Sequence, residues 1–271
     1  MSKITIVTPS YNQGRFIEKT FISILQQNLG SDLEYIVVDA LSTDNTFKVI
    51  NKYMPLFKKQ GIIFKLIREK DDGQADAINK GWKIAKSEIL GYLNSDDYYQ
   101  KNVLKKVILA FNNESTMWAY GGWNYVNING DLYKKVLSPD YDRRKLLYYD
   151  YIGQPACFIR KGALEKIGYL DKNLHLTMDY DLWLRLSQKW SAIRIKIIIA
   201  NLRCYTQTKS SSMGLDQFKS VLNLSKKYTS PISISRVIQY LYYLIASILV
   251  IFKLDIANRI ERKIKIPFLD L

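Results

Sequence analysis

The chain reads as an α/β fold: a mixed, mostly parallel sheet flanked by helices, with a C-terminal helical extension. Three observations predict it. Apolar runs of strand length alternate with amphipathic helix-length segments four times before Tyr99, the pattern of right-handed βαβ units. Beyond Tyr99 the alternation lapses, and Asn129-Gly130 between alternating segments signals a hairpin, so the second half of the sheet is mixed. The last third holds further helix-length patterns and ends in a long apolar run with a basic tail.

Lys3 to Thr8 forms the first predicted strand, broken at Pro9, and a helix runs from about Arg15 to Gln27. Leu33 to Val38 is the second strand and ends in Asp39; Ser42 and Asp44 offer caps for a helix carrying Phe47, Val49, Ile50 and Tyr53. Ile62 to Ile67 is the third strand, followed by a helix from Gln74 to Lys86 that Gly73 opens. Ile89 to Leu93 is short, apolar and preceded by a helix, as expected of a central parallel strand covered on both faces. A helix over about Asn102 to Phe111 leads to the hairpin of Trp118 to Lys135. Ala156 to Ile159 and Ala192 to Ile199 read as strands; Lys161 to Ile167, Tyr180 to Gln188 and Gln217 to Lys227 read as helices. Ser210 to Ser212 and Gly214 mark a flexible loop.

A chain of 271 residues that is 48% hydrophobic can bury a full core. Forty Lys and Arg against twenty-five acids give a net charge of +15, which favours anionic partners. Fifteen of the basic residues but four of the acids lie from Leu182 onward. Cys157 and Cys204 form neither a metal-type cluster nor a disulfide framework, so a reducing cytosol is the expected compartment. The amino terminus enters a strand at once, and no signal peptide is expected. Val237 to Phe252 is uncharged, and its sixteen residues fall short of the ~20 that span a bilayer. Arg259, Arg262, Lys263 and Lys265 follow, a tail of the kind drawn to anionic lipid. Peripheral membrane contact through 237–265, on the inner face of the cell membrane, is one expectation; a core or oligomer helix satisfies the same letters.

Acids collect at the ends of the predicted strands: Asp39 after the second, Asp71 and Asp72 after the third, Asp96 and Asp97 after the fourth. Ligands of open α/β sheets bind beyond those carboxyl ends. Crowded carboxylates resist ionisation unless a cation or donor groups compensate them. A divalent metal, Mn²⁺ or Mg²⁺, wants one or two such carboxylates plus phosphate oxygens, and the hydroxyls and imide of a nucleoside are donors to the others. Asn, Ser and Asp closing a strand also satisfy plain turn chemistry.

Four segments taken together carry a resemblance: TPSYNQGRFIEKTFISILQQ, EYIVVDALSTDNT, EKDDGQADAINKGWKIAKSEILGYLNSDD and MDYDLWLRL. In that order, over most of Lys3 to Leu186, they resemble a family 2 inverting glycosyltransferase of the GT-A fold. The resemblance implies a nucleotide-sugar donor, usually a UDP-sugar, a glycan or lipid-linked acceptor, and a divalent metal. It implies that Pro9 and Tyr11 line the base pocket, that Asp39 and Asp71 contact the nucleoside, that Asn79 is among the nucleotide-sugar-binding residues, that Asp96 meets ribose or metal, and that Asp97 ligates the metal. It also implies that residues 1–100 form the nucleotide-sugar-binding half, 101–215 the acceptor half, and 216–271 the helical extension.

The base implied by the acidic motif is Asp179, although a carboxylate there also suits a helix N-cap. Asp181, two residues on, faces elsewhere on a helix and is placed to bond Arg185. Gln154 and Trp183 are acceptor-side candidates, Gln154 also reading as a loop amide and Trp183 as core. The chain departs from its relatives in three places. Ile78 stands where many have Arg, leaving Lys80 or another base to meet the diphosphate; Met178 replaces a Glu; and Arg203, Cys204 and Tyr205 offer no imidazole. His175, the lone histidine, has no second ligand type nearby in sequence. A nucleotidyltransferase would want a glycine-rich basic phosphate loop that TPSYNQGRF lacks. A nucleic-acid partner is not expected, because acids occupy the predicted cleft and the basic excess adjoins an apolar segment. A noncatalytic membrane scaffold is the remaining alternative.

Overall fold

Every residue of β1 (Ile4–Ser10), β2 (Leu33–Asp39) and β4 (Ile89–Tyr92) is buried, as strands covered by helices on both faces must be. They belong to the nine-stranded sheet of a computed structural model that describes residues 2–205 and 214–228. Strands β3 (Ile63–Arg68), β2, β1 and β4 lie side by side in parallel. Exposed Ile63 and Arg68 mark β3 as the edge.

Strand β4 is central, but it is parallel only on one side. Its other neighbour, β8 (Cys157–Arg160), runs antiparallel, and β6 (Trp118–Val126) is antiparallel to β8 in turn. Beyond them β9 (Ile193–Arg203) runs parallel to β6, and the two-residue β5 (Tyr98–Tyr99) pairs antiparallel with β9. The predicted hairpin is β6 with β7 (Leu132–Val136), turning through Gly130 at φ +93°. One sheet therefore runs through both halves of the chain.

Strand β9 continues four residues past the predicted Ile199. Asn201 ends the apolar run in sequence, yet its Oδ1 accepts bonds from Gln100 and Asn124 at 2.9 and 3.0 Å, so a polar residue is satisfied inside the sheet.

Helix α1 (Ile17–Leu25) is shorter than predicted at both ends. The caps expected before α2 (Thr46–Lys59) shift in register: Asn45 occupies the N-cap, and it is Asp44 whose Oδ1 accepts the Thr46 N–H at 2.9 Å. Helix α3 (Gln74–Ile84) starts behind Gly73 at φ +100°, a conformation only glycine adopts without strain. It presses so closely on β1 that a Cβ on Gly81 would meet Val7 Cγ1 at 2.5 Å. Helices α4 (Leu104–Ala110), α6 (Lys161–Ile167), α7 (Met178–Ser187) and α8 (Gly214–Ser225) fall near their predicted places. The short α5 (Arg143–Leu146), capped by Asp142, had no apolar periodicity to announce it.

Side chains alternate across the sheet into two cores. Val7, Ile36, Trp82, Tyr92, Trp118 and Trp183 pack on one face; Ile6, Tyr35, Phe21, Phe57, Leu93 and Phe158 pack on the other. The apolar run 237–252 lies outside the described residues, and among the described residues no helix is long and apolar enough to cross a membrane.

Candidate active site

The parallel strands point their carboxyl ends into one cleft of about 740 Å³. Pro9, Tyr11, Asp71, Asp96, Asp97 and Asp179 all line it, with Gln154 on its floor and His175 on its wall. Residues from four separate stretches of sequence thus converge because each follows, or faces, the end of a strand of the sheet.

At the centre, the loop after β4 presents Asp96 and Asp97. Thr20 of α1 pins that loop by donating its hydroxyl to the carbonyls of Ser95 and Asp97 at 2.9 and 2.7 Å. The end of β9 clamps the pair from the other side. The Arg203 N–H donates to Asp97 Oδ1 at 2.8 Å, Arg203 Nη1 donates to the Asp96 carbonyl at 2.6 Å, and the Tyr205 hydroxyl donates to Asp96 Oδ2 at 3.1 Å. The Arg203 guanidinium lies 4.8 Å from the centre of the Phe16 ring and 5.6 Å from that of Tyr98, a cation held by aromatic faces. Burial, and then the charge of Asp96, push the Asp97 carboxyl well above its ordinary range; burial raises Asp96 too, against the donors that lower it. Two desolvated neighbouring carboxylates are a donor set that a hard divalent cation would relieve. No group of three His, Cys, Asp or Glu able to hold a metal occurs among the described residues, so other ligands of such a cation would come from phosphate and water.

Beyond the ends of β1 and β3, Tyr11 is 60% exposed and lines the cleft with Pro9, Ala40 and Asp71. Asp71 accepts the Gly73 N–H on Oδ1 at 2.9 Å, and loss of hydration raises its carboxyl. Asp39 is not on the wall. It is fully buried behind it, with its oxygens taken by the Ser42 N–H at 3.2 Å, the Ser42 hydroxyl and Arg68 Nε at 3.2 Å.

Asn79 is not brought to the cleft either. Its amide closes a two-way bond with the Leu170 backbone, donating at 2.8 Å and accepting at 3.1 Å. Helix α3 turns this face into the core, where Ile78 is also fully buried. Lys80 does not stand in for the missing arginine: its ammonium is held by Glu69 at 2.8 Å and Asp76 at 3.4 Å. The cations on the cleft wall are Lys70 and Arg203 instead.

At the far side Asp179 sits in the first turn of α7, two residues past the Thr177 N-cap, where its Oδ1 accepts the Tyr180 N–H at 2.9 Å. Asp181 faces away and binds Arg185 Nε at 2.8 Å. Gln154 donates to the Tyr92 carbonyl at 3.0 Å and accepts from Asn94 at 3.2 Å; Asn94 in turn accepts from Gln74 at 2.7 Å. This amide relay ties the ends of α3, β4 and β8 across the floor. Trp183 is 1% exposed and stacks on Trp118 with ring centres 6.1 Å apart, so it belongs to the core and not to an acceptor site.

Two further residues had little signal in the sequence. His175 reaches the wall through the loop before α7. Asp150, exposed as a residue and outside the cleft lining, has its carboxyl raised by loss of hydration and by the charge of Asp179. Nothing in KLLYYDYIG marks that acid as a neighbour of α7.

Comparison with known proteins bears on this arrangement. The sequence profile of Glycosyl transferase family 2 matches residues 5–168. The putative teichuronic acid biosynthesis glycosyltransferase TuaG of Bacillus subtilis is 27% identical over 214 residues, 77% of this chain and 82% of that protein. The Escherichia coli UDP-Glc:alpha-D-GlcNAc-diphosphoundecaprenol beta-1,3-glucosyltransferase WfaP is 27% identical over 229 residues, 83% of this chain and 85% of that protein. Among solved structures, S. aureus TarS 1-349 in complex with UDP-GlcNAc superposes with a TM-score of 0.63 at 17% identity, over 97% of this chain and 76% of its own. The mannosyltransferase PcManGT from Pyrobaculum calidifontis, in complex with GDP-Man and Mn²⁺, gives a TM-score of 0.65 at 14% identity, over 89% and 69%. With its curled, mostly parallel sheet and its matched sequence, the chain belongs to glycosyl transferase family 2 and is a glycosyltransferase of the GT-A fold.

Proposed function

We propose that the protein moves a sugar from a nucleotide-sugar, a UDP-sugar by preference, to a hydroxyl of a glycan or lipid-linked acceptor in cell-surface polysaccharide or glycolipid synthesis, with inversion at the anomeric carbon. The observation that carries this reading is the convergence of Asp71, Asp96, Asp97 and Asp179 on one cleft. The E. coli relative, named for a UDP-Glc donor and a diphosphoundecaprenol-linked acceptor, supports the choice of donor and acceptor class.

In this reading Pro9 and Tyr11 cover the base, and Asp71 accepts from the imide or ribose of the nucleoside. Asp39 acts at one remove, fixing Ser42 and the wall in front of it. Asp96 and Asp97 fit Mn²⁺ or Mg²⁺, since they offer adjacent hard oxygens in a desolvated setting. When bound, such a cation supplies Lewis-acid neutralisation of the diphosphate leaving group. Arg203 adds positive charge beside that pair, and Lys70 lines the same cleft. Asp179 takes the proton of the acceptor hydroxyl as that oxygen attacks the anomeric carbon from the side opposite the diphosphate, the geometry that inverts configuration. Gln154, immobilised by Tyr92 and Asn94, orients the acceptor.

A screen of nucleotide-sugars for protection against thermal unfolding and for hydrolysis, with and without Mn²⁺, tests the donor. Silence with every donor would end the reading. Peripheral attachment to the cytoplasmic membrane face through 237–265 concerns residues outside those described. Liposome binding by the full chain, compared with a chain truncated at Pro231, tests it, and equal binding by both rejects it.

A further inference from the structure

Tyr205 makes two contacts whose combination goes beyond a surface tyrosine. Its hydroxyl donates to Asp96 Oδ2 at 3.1 Å, and its ring packs on Phe16 with centres 5.1 Å apart and planes tilted by 40°. Phe16 also carries the Arg203 guanidinium at 4.8 Å. Phenol, guanidinium and ring therefore form one assembly whose polar ends meet Asp96 and whose apolar parts are fixed by packing. A bond from a neutral hydroxyl to a carboxylate is charge-assisted, so it orients the acid firmly. Unlike a lysine or arginine at the same place, it leaves the negative charge undischarged.

The remaining donors nearby are oxygens. Asp97 is held by the Arg203 N–H through Oδ1 alone at a short distance, the Asn94 amide standing 3.4 Å from Oδ2. Cys204, between the two clamping residues, is engaged by the Tyr133 hydroxyl, and His175 joins no metal-holding cluster among the described residues.

We propose that Tyr205 is a positioning residue for the cation: it fixes Asp96 so that its second oxygen and Asp97 present an all-oxygen pair, which suits the site to hard cations, Mg²⁺ and Mn²⁺ alike. Carboxylate, phosphate and water ligands suit Mg²⁺ and Mn²⁺, whereas imidazole adds preference for later transition metals. The inference rests on the metal reading above and concerns how this chain, with a phenol after β9, holds the ion.

The test uses the full chain with UDP, free Mn²⁺ read by electron paramagnetic resonance, Mg²⁺ competition, and Co²⁺ followed by its visible absorption. In the wild type Mg²⁺ displaces Mn²⁺ within roughly tenfold of the Mn²⁺ concentration, as expected for oxygen donors. Tyr205→Phe weakens Mn²⁺ binding about tenfold or more, the scale of losing an outer partner of a metal ligand, with metal-free UDP binding and thermal stability unchanged. Tyr205→His places a nitrogen beside Asp96, raises Co²⁺ affinity over Mg²⁺ and shifts the Co²⁺ absorption. Wild-type Mn²⁺ affinity in Tyr205→Phe overturns the proposal alone. A wild-type chain that binds UDP but no Mn²⁺ overturns it together with the metal reading, while leaving the nucleotide site standing.

Discussion

The main-chain N–H of Arg203 donates to Asp97 Oδ1 across 2.8 Å, joining residues 106 apart in sequence. That single donor does not offset the burial and the neighbouring Asp96 charge that hold the Asp97 carboxyl well above its usual range. A carboxyl that binds its proton more tightly in the folded chain stabilises the fold fully below its unfolded value of about 3.9, and the contribution is lost as pH rises through the raised folded value. Asp97→Asn removes the titration. In a chelator, its melting temperature therefore equals that of the wild type near pH 4 and exceeds it increasingly toward neutral pH, measured by thermal unfolding across pH. Transfer falls by more than about 10²-fold, since changes in outer partners of a metal ligand alone reach that size.

Asp179 lies at the cleft edge with one oxygen on the Tyr180 N–H. Asp179→Asn keeps that acceptor but removes the base. Transfer falls about 10²- to 10⁴-fold, while donor protection against unfolding stays at the wild-type level. Loss of donor binding along with transfer would show that the residue shapes the nucleotide site instead.

Asn79 separates two roles that sequence resemblance and packing assign differently. Asn79→Ala orphans the buried N–H and C=O of Leu170, each worth about 1–3 kcal/mol when left unpaired. Denaturant unfolding should show that loss. In protein still folded at the assay temperature, the KM for donor stays within about twofold of wild type, because a residue without substrate contact removes no binding energy.

Gly81 sits where α3 meets β1, and an added methyl would lie 2.5 Å from Val7 Cγ1. Gly81→Ala gains about 1 kcal/mol of helix propensity, but overpacking costs about 1–3 kcal/mol, so the variant is destabilised. In a Val7→Ala background the contacts at 2.5 and 2.7 Å are gone and only Cβ remains, at 3.2 Å, so the same substitution costs less than in the wild type. Chemical denaturation of the four-member cycle checks the sign.

The parallel half was legible because its strands are short, rich in apolar residues and closed by Asp39 or the turn at Asp96, and because Gly73 marks the start of α3; Pro9, read as a break, instead lies inside β1, which pairs on to Ser10. The antiparallel half was harder. Asn201 interrupts β9 in sequence but is satisfied by Gln100 and Asn124, and two residues at Tyr98 carry no periodicity to read. Within the site, the order of the motifs pointed to Asp71, Asp96, Asp97 and Asp179, which share a cleft. It could not separate wall from backing. Asp39 stands next to an exposed turn in sequence and Asn79 in the middle of an amphipathic helix, yet one is covered by Ser42 and Arg68 and the other faces Leu170. Asp150 was silent because its neighbour Asp179 lies 29 positions away.

The clamp at the end of β9 also sets an order of assembly. A ribosome that has released the first hundred residues has made the four parallel strands, both acids of the loop after β4, and the Thr20 and Asn94 donors that hold it, but not the clamp. That arrives with Arg203 and Tyr205, in the second half of the chain. The nascent first half thus carries two crowded acids with only part of their donors, and the loop gains its full set only when β9 pairs with β6.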